Sequence, residues 1–190
     1  MKTTKPRFGL ISQNPVNQGY VSYYQIWRER LDAGKLGKKY HQETTKLLNS
    51  LQKIQDKKLN EQANELHAIA FEQIDCLNCA NCCKSLPARI NDTDINRIAK
   101  KLRMKPDEVR FAFTFRDEDG DMVINQSPCP FLEVDNTCRI YEVRPKACRE
   151  YPHTDQYTFR SNISLHAVNA VYCPAVYHIL ENFKLLRLKD

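Results

Sequence analysis

The chain has 190 residues, 42% of them hydrophobic and 27% charged, a balance that suits one soluble domain with an appended segment. No apolar run reaches the length of a membrane span, and the polar residues 1–13 lack the apolar stretch of a secretory signal, so no membrane is expected and the cytoplasm is the expected compartment. The net charge of +6 is spread along the chain, metal-bound cysteines would offset it as thiolates, and no Lys/Arg run is interleaved with aromatics, so no nucleic acid is expected as a partner.

Residues 1–19 hold Pro6, Pro15 and Gly19 with little periodicity and read as irregular. A helical arm over 20–71 follows. Ser22 and Gln25 have the spacing of a capping box, and Tyr20, Tyr24, Trp27 and Leu31 lie at helical spacing until Gly34 and Gly37 end the helix. Leu47, Leu48, Leu51 and Ile54 form one apolar stripe, and Leu59, Ala63, Leu66, Ala70 and Ile74 a second. The plainer reading is an amphipathic arm packed on the rest of the chain. The other is a helix pair that binds a protein partner; two short stripes fall well short of a coiled-coil heptad pattern.

Residues 72–190 contain all the cysteines and form the expected cysteine-cluster domain. Asn91 and Asp94 can cap a helix whose apolar face is Ile95, Ile98, Ala99 and Leu102. Pro106 suits the first turn of another, with Val109 and Phe113 inward. The acidic run Asp117, Glu118, Asp119, Gly120, Asp121 has the glycine one place too early for a calcium loop and no Glu at the twelfth position, so it reads as a turn between short extended segments. Residues 122–124 and 131–134 are candidate strands, with Asp135 and Asn136 turning the chain. Pro174 can start a last helix with Val176, Ile179, Leu180 and Phe183 inward.

The chemistry lies in eight cysteines: Cys76, Cys79, Cys82, Cys83, Cys129, Cys138, Cys148 and Cys173. Two-residue gaps let thiolates converge on one cation or cluster. Zinc sites use such pairs. A run with these gaps completed by a remote Cys-Pro is also iron–sulfur grammar, and both Cys129 and Cys173 precede a proline. Zinc and an iron–sulfur cluster therefore both remain open as the cofactor. Consecutive side chains diverge, so one of Cys82 and Cys83 serves a second site or a bridging position; eight thiolates fill two four-coordinate sites or one multinuclear centre. A disulfide framework fits the even count but not the chain length or the expected compartment. A thioredoxin-like motif would want one CxxC ending a strand. Inert burial suits at most an isolated residue such as Cys138 or Cys173.

Three blocks carry a family resemblance. They are Cys76-x-x-Cys79-x-x-Cys82-Cys83; Cys129-Pro130-Phe131-Leu132; and Cys138-Arg139-Ile140-Tyr141-x-x-Arg144-Pro145-x-x-Cys148-Arg149-x-Tyr151-Pro152. In this order they resemble the YkgJ family of bacterial cysteine-cluster proteins, described as chelating zinc or iron, over about residues 72–178. The family often has a glycine inside the first run, where this chain has Ala80 and Asn81. A similar cluster occurs in flagellin lysine N-methylases, which implies that the module can serve a modifying enzyme. No G-x-G-x-x-G is present to hold a methyl donor of the Rossmann type.

Arg139, Arg144, Lys146 and Arg149 crowd the third block and can offset thiolate charge, with Arg144 and Arg149 expected to support the centre; Tyr141 and Tyr151 are expected to pack over it, and His153 to be a neighbour rather than a ligand. The expected fold is mainly α with a small irregular β element, a compact domain stapled by metal–thiolate sites and preceded by the helical arm. The leading expected function is a metal-binding protein with a structural or sensory centre. The alternatives are an iron–sulfur redox or protein-modifying enzyme and a metal chaperone or store.

Overall fold

A computed structural model describes residues 23–32, 38–155 and 158–187. The N-terminal residues 1–19, Tyr20, Ser22, Gly34 and Gly37 lie outside them, and so do the expectations placed there.

The first helices are α1 (Tyr23–Asp32), α2 (Lys38–Leu51) and α3 (Asp56–Gln73). Both stripes read from the sequence are buried apart from Ile54, which packs partly buried against them. They face helices α9 (Ile163–Tyr172) and α10 (Pro174–Arg187): α10 packs on α1, α3 and α9, and α2 packs on α9. Trp27 is fully buried in this core, and its indole N–H donates to the Ala170 carbonyl at 3.1 Å, tying α1 to α9. The stripes that suggested a partner-binding helix pair are covered from within the chain. Helices α9 and α10 turn by 117° at Cys173, where Pro174 interrupts the backbone ladder. Among the described residues no single helix is long and apolar enough to cross a membrane.

A second core lies between these two stretches of chain. It gathers Ile90, Ile95, Ile98, Ala99, Val109, Ile124, Phe131 and Ile140. Helix α6 (Asp92–Leu102) begins with the reciprocal Asn91–Asp94 capping box expected from the sequence. Pro106 opens α7 (Pro106–Phe113). Strand β1 (Thr114–Arg116) pairs antiparallel with β2 (Met122–Ile124), Phe115 facing Val123. The acidic run is the turn between them: the Asp117 carboxylate accepts from the backbone N–H groups of Asp119 and Asp121, and Gly120 has φ +82°.

Residues 131–134 do not form the second strand. Only an isolated Leu132–Cys138 bridge closes there. The segment begins with a turn in which the Leu132 N–H returns to the Cys129 carbonyl, Pro130 has no N–H to give, and Asn136 turns the chain with φ +65°.

Candidate metal centre

The cysteine run folds as two short helices, α4 (Cys76–Cys79) and α5 (Asn81–Ser85), with Ala80 between them at φ 46° and ψ 18°. This left-handed residue breaks the helix and gives the two cysteine pairs different directions. Asp75 caps α4 by accepting from the Leu77 N–H. The Asn81 amide donates to the Tyr172 carbonyl at 2.7 Å, which brings Cys82 beside Cys173. On the other side the Cys129 N–H donates to the Cys83 carbonyl at 2.8 Å. The Asn136 amide donates to the Leu77 carbonyl, pinning the Cys129–Cys138 turn to α4.

The third block is anchored from the second core. Asp94 is buried, and besides its capping bond it accepts from Arg97 at 2.6 Å and from the Lys146 backbone N–H at 3.1 Å. Lys146 opens α8 (Lys146–Glu150), which carries Cys148. Asp94 is thus a positioning residue that sequence reasoning saw only as a cap; its bond to a residue 52 positions away left no local signal.

All eight cysteines line one cavity of about 420 Å³. It sits where the two cores meet: Ile74 comes from the first, and Ile124, Phe131 and Ile140 from the second. All eight are free thiols; Cys76 is exposed and the others are partly buried. Their electrostatic neighbours differ. Cys148 feels Cys83, Cys129 and Cys138, and Cys129 feels Cys83 and Cys138. Cys173 feels Cys76 and Cys79, and Cys82 feels Cys83 first and then Cys173 and Cys76; Cys83 also acts on Cys76 and Cys79. The adjacent pair is the border, with Cys82 and Cys83 sulfurs 4.0 Å apart. Among the described residues, no three Cys, His, Asp or Glu side chains close on a point as a single-ion site requires.

Burial pushes the Cys148 thiol up to about 12, with Cys83, Cys129 and Cys138 adding to it, and burial also takes Cys173 to about 12. Cys83 goes the other way, to about 7: the Cys82 thiol donates to it, and Arg144 and Lys84 favour its thiolate. Cys82 correspondingly holds its proton.

Among the cationic residues, Arg144 lies over the Tyr141 ring at 3.6 Å and lines the cavity. Arg149 also lines it and donates to the Arg144 carbonyl. Arg139 faces outward, 4.0 Å from Glu133, and Lys146 pairs with Glu150 at 3.7 Å. Tyr151 and Tyr141 both line the cavity as expected, Tyr141 half exposed beneath Arg144. His153 is at the wall with φ +63°.

Eight soft sulfur donors in one pocket, with cationic and hydroxyl donors around them, fit zinc or iron–sulfur ligation and suit neither calcium nor magnesium. The fold and the site define a cysteine-thiolate metal-binding module. Residues 75–174 match the family model CxxCxxCC, "Putative zinc- or iron-chelating domain", and the chain belongs to that family. An uncharacterized protein of Methanocaldococcus jannaschii is 32% identical over 94 residues, which cover 48% of this chain and 49% of that protein. The match thus spans about half the length of that relative. No solved structure matches the chain.

Proposed function

We propose that the protein holds two iron–sulfur clusters, one on Cys76, Cys79, Cys82 and Cys173 and one on Cys83, Cys129, Cys138 and Cys148, with a structural or sensory role. The carrying observation is eight thiols around one cavity, with Cys83 tied to Cys129 by a backbone bond and Cys82 brought beside Cys173 by the Asn81–Tyr172 bond. The spacing supports clusters over single zinc ions. A tetrahedral zinc site needs its sulfurs roughly 3.8 Å apart, as metal–sulfur bonds of about 2.3 Å require. The thiols here converge on no single point, and the cavity is larger than two bare ions need. A cluster supplies its own inorganic sulfide and spans the wider gap.

The structural or sensory role is supported by where the ligands come from. They join two hydrophobic cores, so metal loss changes how those cores meet. A labile store would favour exposed thiols, and only Cys76 is exposed. A cytoplasmic location is part of this reading, supported by the fit of eight free thiols to a reducing compartment.

The test is purification without oxygen, followed by metal and acid-labile sulfide analysis and a visible spectrum. A brown protein with iron and sulfide is expected. A colourless protein with two zinc ions would keep the two sets and remove the clusters. Protein that takes up neither metal would remove both.

A further inference from the structure

Two polar atoms in the cavity wall lack a partner. The Tyr151 hydroxyl and the Arg144 Nε are buried, and neither has a hydrogen bond among the described residues. A buried donor left unpaired is costly, so two at one cavity point to acceptors that occupy it. Their surroundings differ. The charged groups acting on the Tyr151 hydroxyl are Cys173, Cys82, Cys79 and Cys76, the members of one thiol set. Arg144 acts on Cys83, Cys138 and Cys148 of the other set, and also on Cys76 of the first.

We propose that Tyr151 and Arg144 are the two positioning donors of the centre, the Tyr151 hydroxyl donating to a sulfur of the Cys76, Cys79, Cys82 and Cys173 set and the Arg144 Nε–H to a sulfur of the Cys83, Cys129, Cys138 and Cys148 set. The inference rests on the two-set reading above. Tyr151 is suited to the task because its buried hydroxyl lines the cavity with no other partner among the described residues. It is held at the end of α8, where its N–H donates to the Ala147 carbonyl. Arg144 is fixed by Tyr141 beneath its guanidinium and by Arg97 and Arg149, which donate to its carbonyl. Each donor reaches the cavity on a short, braced segment, which is how an outer hydrogen bond orients a ligand sulfur and tunes its charge.

The experiment compares metal-loaded wild type with Tyr151→Phe and Arg144→Lys in the full chain. Phenylalanine removes one oxygen; lysine keeps the charge and loses the Nε–H. Metal is withdrawn with excess EDTA while iodoacetamide traps each released thiol, and mass spectrometry reads which cysteines are alkylated first. Circular dichroism confirms that each variant is folded. Removing one outer donor is expected to speed release from one set about tenfold or more. Tyr151→Phe should release Cys76, Cys79, Cys82 and Cys173 early, and Arg144→Lys should release Cys83, Cys129, Cys138 and Cys148 early. Wild-type kinetics in both variants, or acceleration of the same four cysteines in both, overturns the assignment. Wild type that retains no metal fails at the loading step, and that overturns the two-cluster reading rather than the donors.

Discussion

Ala80 shows how a single backbone angle shapes the site. It is buried and left-handed, between the two helices of the cysteine run. Alanine pays roughly 1 kcal/mol in that region and glycine does not, although glycine loses more freedom on folding. Ala80→Gly should therefore raise stability by about 0.5 kcal/mol, whereas Ala80→Val should lower it by more than 1 kcal/mol, since a branched Cβ fits a positive φ poorly. Urea unfolding of both variants checks the sign. His166 supplies the pH dependence. It is buried in α9, Nε2 bonded to the Phe159 carbonyl at 2.9 Å, and burial holds it at about 4 against an ordinary 6.5. The unfolded chain takes up the proton first, so stability is complete above pH 6.5 and is lost as pH falls toward 4. The loss from this group is roughly 3 kcal/mol. His166→Gln should flatten the profile over that window; an unchanged acid slope would assign it to other groups.

Among the elements, α6 and α8 are coupled through one carboxylate. Asp94 closes the capping box of α6 and receives the Lys146 N–H that starts α8. Asp94→Ala leaves several donors without an acceptor and should cost about 3 kcal/mol. Because α8 carries Cys148, the same change should weaken metal retention, and chelator competition on the purified variant measures it. The α9–α10 corner has a similar role: the 117° bend places Cys173 at the cavity instead of along one long helix. Helices α1 and α2 pack on these two helices, whereas α3 leads straight into the cysteine run and gives Phe71 to the cavity wall.

For the molecule as a whole, the cavity lies between two cores, so metal should hold one against the other. Removing metal should leave most helical circular dichroism while increasing hydrogen exchange in residues 76–83, 129–148 and 173; uniform protection with and without metal would show that the joint holds without it. Metal binding should also release protons. Cys148 and Cys173 sit near 12 without metal, so they are protonated at neutral pH and must lose the proton to ligate. Apparent affinity should accordingly rise with pH, and a pH-indicator dye in weak buffer would record the released protons.

The candidate set was legible from the sequence because cysteine spacing is local chemistry, and all eight cysteines line one cavity. So were the stripes of α2, α3 and α10, the Asn91–Asp94 box and the acidic turn, each set by periodicity or by side-chain bonds within a few residues. Strand pairing was less legible: β2 was readable, but its partner is β1 and not residues 131–134, since pairing depends on chain outside the window being read. Which thiols lie side by side depended on tertiary structure alone. Cys83 joins Cys129 through a backbone bond across 46 positions, and Cys82 joins Cys173 because Asn81 holds Tyr172 across 91. Spacing marks the thiols as a candidate ligand set; only the folded chain, by turning Ala80 left-handed and docking α9 beside α5, decides which of them lie side by side.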